Sequence, residues 1–310
     1  MHRKKFIKRS FLLTAGAFLL SPLSKYYGEA NATPPSVKPS PMNWRDDELN
    51  ISWIGHSTIL INFFGKIILT DPVLFSRVGI YILGTNFGPE RFTHPALTFD
   101  EIPKPDLILL SHAHMDHMDY MTLSKFSSEY KNQIDVITAY NTMDVIQNLK
   151  WKSIREMDWG DETESNGIKL KALQVKHFGW RYPWERDRSK GFHDNGRSYN
   201  AYILERKGVK ILFGGDTANT DLFKKSGEIV DVAIMPIGAY QPWRMNHCNP
   251  EEALQMAKDL SAKVFIPIHT NTFKQGLEPR EEPLKWISDS ISKYNFEYGI
   301  KQIGETYKMA

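Results

Sequence analysis

The sequence predicts an α+β fold in which two β-sheets pack face to face and helices cover their outer surfaces. Short apolar runs rich in β-branched residues recur in both halves of the 310-residue chain, and helical patterns follow each group of runs. Apolar residues make up 41% of the chain, an ordinary proportion for a globular protein that buries a core. Because no repeat or long internal linker divides this pattern, we expect one folded domain over residues 43–310.

Consecutive short strands open this domain. Residues 51–54, 59–63 and 66–69 are apolar and rich in isoleucine, and Phe64 and Gly65 fit the tight turn between the last two strands. Further short apolar runs predict strands at residues 106–110, 169–175, 209–213 and 263–267.

Helical patterns lie between these strands, at residues 119–130, 142–150, 249–261 and 283–294. The third of these helices has the clearest start. Asn249 is a good N-cap, Pro250 suits the first helical position, and Glu252 stands where a capping box requires an acidic residue.

A cluster of metal-ligating residue types follows the predicted strand at residues 106–110. It has the pattern H-x-H-x-D-H, formed by His112, His114, Asp116 and His117. Neutral imidazole nitrogens and carboxylate oxygens suit zinc and similar metals. A short irregular loop can turn the first two histidines towards one ion and the Asp-His pair towards a second. Four ligand residues within six positions argue against a surface loop that is rich in histidine by chance.

This pattern resembles the metallo-β-lactamase superfamily of hydrolases, whose fold is a four-layer αββα sandwich. The family implies three more ligands downstream, in the order His, Asp, His. The chain offers His177, Asp216 and His269, each just past an apolar run that predicts a strand. Taken singly, a histidine after a strand is more often structural, and Gly-Gly-Asp is more often a turn. Their joint order and position favour the metal site.

The resemblance also implies how seven residues hold two divalent metal ions, for which Zn²⁺ is the expected identity. It assigns His112, His114 and His177 to one ion, Asp116, His117 and His269 to the other, and Asp216 to both. Two ions held about 3.5–4 Å apart can share one hydroxide and lower its pKa to near neutrality. That hydroxide would attack a phosphorus or carbonyl centre, so Asp116 is a catalytic candidate as well as a ligand.

Further stretches narrow the resemblance to one branch of this superfamily. Residues 55–58 and 70–72 are similar to lactonases and to the phospholipase D that hydrolyses N-acylphosphatidylethanolamine, and residues 88–92, 156–159 and 236–240 are similar to the latter in particular. The branch implies a metal-dependent hydrolase of phosphodiesters, with an N-acylphosphatidylethanolamine-type substrate. A lactonase of the same fold is the alternative, and a non-catalytic metal-binding protein is a third hypothesis. Residues 179–197 match no family pattern and leave the substrate open.

Several residues are candidates for supporting roles around the ions. Asp71 is expected to accept a hydrogen bond from a ligating histidine, or else to form a turn with Pro72. His56 is expected in a similar position, with a packed core histidine as the alternative. By the resemblance, His247 would contact a substrate phosphate or donate a proton to the leaving group, and a plain surface histidine is the competing interpretation.

Two aromatic and cationic segments, residues 178–199 and 239–247, are expected to form the substrate mouth. The candidate substrate contacts are Arg181, Tyr240 and Arg244. Arginine would pair with a phosphate through its planar fork, and aromatic faces would hold acyl or ring portions. The alternative is that these side chains form a lid or pack without contacting substrate.

The first 32 residues predict a secretory leader. A basic segment precedes an apolar run and an Ala-x-Ala site, and Lys8-Arg9 resembles a twin-arginine motif. Export to the periplasm is therefore expected, with an uncleaved N-terminal membrane anchor as the alternative and residues 33–42 as a proline-rich linker.

The charge of the remaining chain bears on its partners. Without the leader, the chain has 33 Lys and Arg and 35 Asp and Glu, so the positive net charge of the full sequence comes from the leader. The net charge of the remaining chain gives no support for nucleic-acid binding. We expect a small-molecule or phospholipid substrate, with peripheral membrane contact as a further hypothesis. The single cysteine, Cys248, follows His247, but adjacent residues rarely face each other as a nucleophile and its base must. A packed Cys248 is expected.

Overall fold

The computed structural model describes residues 32–82 and 85–309, and from Thr33 onwards these residues form one compact unit. The predicted leader, residues 1–32, lies outside the described part except for Ala32, so export and anchoring stay predictions. None of the helices in the described ranges has both the length and the apolar character needed to cross a bilayer.

The described chain contains sixteen strands. They are β1 (Leu49–Gly55), β2 (Thr58–Phe63), β3 (Ile67–Thr70), β4 (Ile80–Ile82), β5 (Thr85–Phe87), β6 (Leu107–Leu109), β7 (Asp135–Ala139), β8 (Ser153–Met157), β9 (Glu162–Ser165), β10 (Ile168–Gln174), β11 (Asn200–Arg206), β12 (Val209–Phe213), β13 (Val232–Pro236), β14 (Val264–Ile268), β15 (Glu297–Tyr298) and β16 (Thr306–Met309). Four α-helices accompany them: α1 (Tyr120–Glu129), α2 (Leu222–Ser226), α3 (Pro250–Asp259) and α4 (Glu282–Ser290).

Two seven-stranded sheets carry the fold. The first has the order β16-β1-β2-β3-β6-β7-β8, and the second has the order β15-β14-β13-β12-β11-β10-β9. Each sheet is antiparallel at one side and parallel at the other, and β4 and β5 form a separate hairpin. Strands β10, β12 and β14 run in the same direction, so their carboxyl ends meet at one edge of the second sheet.

Alternation of side chains along the strands places the core in three layers. Within β6, Leu107 and Leu109 face the central cluster between the sheets, whereas Ile108 faces outwards. Within β12, Phe213 faces the same central cluster and Leu212 faces the helices on the other side. Side chains of α1 pack on the outside of the first sheet, and those of α2, α3 and α4 pack on the second. The predicted αββα sandwich is confirmed.

The helix predicted at residues 142–150 is wrong. The structure has only a 3₁₀ turn, Met143–Val145, in this segment. The side chain of Glu156 accepts the backbone N–H groups of Thr142 and Met143, and the Trp151 indole donates to the carbonyl of Ile146. The Glu156 carboxylate therefore caps the start of the turn. A helix that continued to Lys150 would pair the Ile146 carbonyl with the Lys150 N–H, but the Trp151 indole takes that carbonyl and the Lys150 N–H donates to Ser127 Oγ instead.

The other three predicted helices are present as α1, α3 and α4. Helix α3 begins as expected, because the Asn249 side chain accepts the Glu252 N–H and the Glu252 carboxylate accepts the Asn249 N–H, each at 2.9 Å. Proline at the first helical position leaves no backbone N–H to satisfy there.

Candidate metal centre

Four loops at the ends of strands β6, β10, β12 and β14 bring the predicted ligands together. The motif of residues 112–117 follows β6, and His177, Asp216 and His269 follow the other three strands. His269 has a φ of 61° and Gly215, directly before Asp216, has a φ of 56°. Both values lie in the left-handed region, which glycine adopts readily and other residues rarely do, so the fold holds His269 in an unfavourable backbone conformation.

Three histidines form the first ligand group. His112 Nε2 lies 2.8 Å from His114 Nδ1, and His177 Nε2 lies 3.3 Å from the same atom. Asp216 Oδ2 lies 3.9 Å from His112 Nε2 and 3.7 Å from His177 Nε2. The ring nitrogens of this group therefore face one point, and Asp216 borders it.

Asp116, His117 and His269 form the second ligand group. Asp116 Oδ2 lies 3.4 Å from His117 Nε2 and 3.5 Å from His269 Nε2. Asp216 Oδ2 lies 3.2 Å and 3.1 Å from the same two nitrogens. One carboxylate oxygen of Asp216 thus lies within 4 Å of ring nitrogens in both ligand groups.

The ligand groups fit divalent metal ions. His117 Nε2, His269 Nε2 and Asp216 Oδ1 are buried and lack a hydrogen-bond partner, an arrangement that is costly unless another group satisfies them. Burial lowers the pKa of His112 and His177 well below the usual range and that of His114 to about 4, which keeps these imidazoles in the neutral, ligating form.

The second group is charged differently. Burial alone would lower the pKa of His117 and His269, but the neighbouring carboxylates, Asp216 foremost, outweigh it. The pKa of His117 rises well above the usual range, and that of His269 rises to about 9. The same contacts hold the pKa of the Asp216 carboxyl well below its usual range despite burial. The carboxylate is therefore ionised, and His117 and His269 would release protons when a cation takes their place beside it.

Hydrogen bonds behind the ligands fix their rings. His117 Nδ1 lies 2.6 Å from Asp71 Oδ2, and Asp71 also accepts the Ser111 N–H at 2.7 Å. His177 Nδ1 lies 2.9 Å from the carbonyl oxygen of Asn246. Such partners orient a ligating imidazole and select its tautomer.

The Asp116 carboxylate has two neighbours of its own. His56 Nε2 lies 3.0 Å from Asp116 Oδ2, so the buried His56 contacts the ligand group rather than only the core. Gln275 Nε2 donates to the same oxygen at 2.5 Å. Sequence reasoning missed Gln275, which stands six residues after His269 in a loop without a motif, and no local signal marks it.

A cleft of about 810 Å³ opens above the ligand groups. Both predicted mouth segments line it. Residues 178–199 contribute Phe178, Trp180, Asp187, Ser189 and Lys190, and residues 239–247 contribute Ala239, Trp243, Met245, Asn246 and His247. Lys176 and Gln275 also line the cleft, and neither was singled out by the sequence pattern.

The three predicted substrate residues are placed elsewhere, and these predictions are corrected. The Arg181 guanidinium donates to the carbonyl oxygens of Ala113 and Met118, at 2.7 and 3.0 Å, and so ties down the metal-binding loop. Tyr240 is buried and its hydroxyl donates to Glu282. Arg244 forms an ion pair with Glu252 at the start of α3. None of the three lines the cleft, because each has a nearer acceptor within the protein.

His247 and Cys248 have separate surroundings. His247 lines the cleft with Nδ1 3.8 Å from Asp216 Oδ2, and burial lowers its pKa to about 4. Cys248 is buried and its thiol donates to the carbonyl oxygen of Pro236 at 3.2 Å. Burial raises the pKa of this thiol, so Cys248 is a packed residue, as the sequence predicts.

Comparison with known proteins agrees with this geometry. Residues 66–270 match the model of the β-lactamase superfamily domain. The chain is 31% identical over 260 residues to N-acyl-phosphatidylethanolamine-hydrolyzing phospholipase D 1 of Caenorhabditis elegans, covering 77% of this chain and 69% of that protein. It is 31% identical over 231 residues to a metal-dependent hydrolase of Bacillus thuringiensis (strain Al Hakam), covering 73% of this chain and 87% of that protein.

A solved structure shares the fold. The metallo hydrolase of the archaeon Ignicoccus hospitalis superimposes with a TM-score of 0.61 at 19% identity, covering 85% of this chain and 99% of that chain. The chain spans between half and about two thirds of the length of the first curated relatives that it matches. This chain belongs to the metallo-β-lactamase superfamily of metal-dependent hydrolases.

Proposed function

We propose that this protein is a two-ion hydrolase of phosphodiesters, acting like a phospholipase D on an N-acylphosphatidylethanolamine-type substrate. The observation that carries the proposal is the position of Asp216 Oδ2, which lies within 3.1–3.9 Å of a ring nitrogen in each of four ligand histidines from both groups. Two bound divalent ions, expected to be Zn²⁺, would supply an activated water as nucleophile and would stabilise the developing oxyanion.

The protein's own contribution is to hold the ligands rigid. Asp71 fixes the ring of His117, and the Asn246 carbonyl fixes that of His177. His56 and Gln275 hold the Asp116 carboxylate from two sides. Because these supporting groups are themselves part of the packed fold, the site needs little rearrangement when substrate arrives.

The cleft lining supports a substrate with both anionic and apolar parts. Phe178, Trp180 and Trp243 present aromatic surface, which suits acyl chains. Lys176 and Lys190 line the same cleft, and neither ammonium group forms an ion pair among the described residues. These two lysines replace the arginines as candidates for contact with the negative charge of a phosphodiester.

His247 is the candidate for contact with the leaving group or a phosphate oxygen. Its lowered pKa keeps the imidazole neutral, and a neutral imidazole donates one hydrogen bond from its N–H group. It lies beside Asp216, at the floor of the cleft, where the reacting phosphorus would be held.

A substrate panel on metal-loaded protein tests the proposal. We expect hydrolysis of bis(p-nitrophenyl) phosphate and of N-acylphosphatidylethanolamine, both abolished by a chelator and restored by Zn²⁺. The nearest competing activity gives a different result, because a lactonase would open lactone rings and leave the phosphodiesters intact. Bound metal without turnover of any of these compounds would indicate a metal-binding protein instead.

A further inference from the structure

Exposed apolar side chains concentrate around the cleft. Five of the large apolar residues that face solvent lie on the loops that form its mouth: Trp184 (78% exposed), Leu277 (73%), Met245 (72%), Trp243 (51%) and Phe192 (45%). Scattered single apolar residues on a surface need no explanation, but a group around one opening marks an interaction surface.

Hydrogen bonds connect these loops to the cleft itself. Trp243 Nε1 donates to the carbonyl oxygen of Gln275 at 3.3 Å, and Leu277 N donates to that of Gln241 at 2.7 Å. Trp243, Met245 and Leu277 therefore belong to one connected part of the mouth. Trp184 stacks on Tyr182 with ring centroids 4.9 Å apart, in the segment whose Phe178 and Lys190 line the cleft.

Cationic groups stand among these apolar side chains. Residues 176–192 carry five Lys and Arg against two Asp and Glu, whereas residues 33–310 as a whole are slightly acidic. Of the two acidic residues, Asp187 is buried and Glu185 pairs with Arg197. Lys176, Arg186 and Lys190 are exposed, and within the described residues no carboxylate forms an ion pair with any of the three.

We propose that this mouth docks on an anionic lipid bilayer, with the cleft facing the membrane. Tryptophan and leucine side chains enter the boundary between headgroups and acyl chains, and Lys and Arg are attracted to anionic lipids. The docking surface offers both kinds of group. It consists of Trp184, Leu277 and Arg186 together with the cleft-lining Trp243 and Met245. The inference extends the proposed function, because docking in this orientation delivers a lipid phosphodiester directly to the cleft.

Vesicle binding by variants outside the cleft lining tests the docking surface. The double variant Trp184→Ser/Leu277→Ser should bind vesicles of phosphatidylcholine and phosphatidylglycerol at least about tenfold more weakly, since it loses two membrane-entering side chains. Arg186→Gln should weaken binding about fivefold and only when phosphatidylglycerol is present. Ile229→Ser, which removes an apolar side chain of 64% exposure elsewhere, is the matched control and should bind like the unaltered protein.

Turnover of soluble bis(p-nitrophenyl) phosphate separates docking from catalysis. The double variant should keep the unaltered protein's kcat/KM on this compound, which also shows that it is folded. Equal vesicle binding by the double variant, or an equal loss in Ile229→Ser, overturns the docking proposal. The proposal is also overturned if the unaltered protein does not bind the vesicles. It is overturned as well if sedimentation shows that the unaltered protein is a dimer and the double variant a monomer, because this face would then bind a second copy of the chain. Vesicle binding without any phosphodiester turnover overturns the proposed function and leaves docking standing.

Discussion

The metal centre and the mouth of the cleft are held in place by different means. At the centre, Asp71, His117 and Asp216 are buried and each contacts a ligand or its immediate partner. At the mouth, Trp184 and Met245 are mostly exposed, and the nearby lysines lack ion-pair partners among the described residues. We infer from this difference that the buried network would define the type of reaction and that the exposed segments would select the substrate.

Removal of the shared carboxylate should have the largest effect. Asp216→Asn takes away the charge that faces both ligand groups, so bound metal should fall and kcat/KM on bis(p-nitrophenyl) phosphate should drop about 1000-fold or more. Elemental analysis and kinetics measure the two effects. Asp221→Asn, at an exposed carboxylate paired with Lys225, is the control. An undiminished metal load in Asp216→Asn would refute the bridging role.

Loss of a supporting partner should cost less. Asp71→Asn keeps the shape but removes the negative acceptor beside His117 Nδ1, so metal affinity should fall about 10–100-fold. Competition with a chromophoric chelator measures the affinity, and thermal unfolding reports whether the fold survives. Should the metal affinity be unchanged in a folded variant, His117 would be oriented by some other contact.

Arg181 and Arg244, the two arginines that the sequence suggests as substrate contacts, should behave differently from each other. Arg181→Ala removes charged donors from the carbonyls of Ala113 and Met118 on the metal-binding loop, so metal affinity should fall about tenfold. Arg244→Ala loses a half-exposed ion pair with Glu252 and should leave metal affinity within about twofold. Equal effects on metal binding in the two variants would break the distinction between centre and mouth.

The smallest effect is expected from the lysines of the cleft. Lys176→Ala combined with Lys190→Ala should raise KM for an anionic phosphodiester about fivefold without changing bound metal, because both charges are solvent-exposed. Added salt should shrink the difference. Lys131→Ala, an exposed lysine outside the cleft lining, is the matched control. A KM that does not change would favour a neutral substrate such as a lactone.

Local sequence patterns predicted those parts of the molecule that depend on neighbours in the chain. Strand β12 begins and ends where its apolar run does, at Val209 and Phe213, because alternate side chains face two buried layers. The histidine motif was visible because four candidate ligand residues share one loop. The helix predicted at residues 142–150 does not form because the Trp151 indole takes the Ile146 carbonyl and the Lys150 N–H donates to Ser127 Oγ, so the hydrogen bond that would close the last helical turn is absent.

Roles set by tertiary contacts could not be read in the same way. Gln275 reaches Asp116 across 159 positions of sequence, and nothing in its own segment marks it. Arg181 looked like a phosphate ligand because its neighbours are aromatic and cationic, yet its nearest acceptors are two backbone carbonyls. The sequence shows that an arginine is charged, but the fold determines which acceptor its guanidinium group contacts.

Titration of metal-free protein with Zn²⁺, followed by turnover of bis(p-nitrophenyl) phosphate at each step, tests the central claim most directly. Since one Asp216 oxygen faces both ligand groups, we predict that bound metal and activity both saturate at two ions per chain. Full activity in the metal-free protein, or saturation without any phosphodiester turnover, would contradict the account.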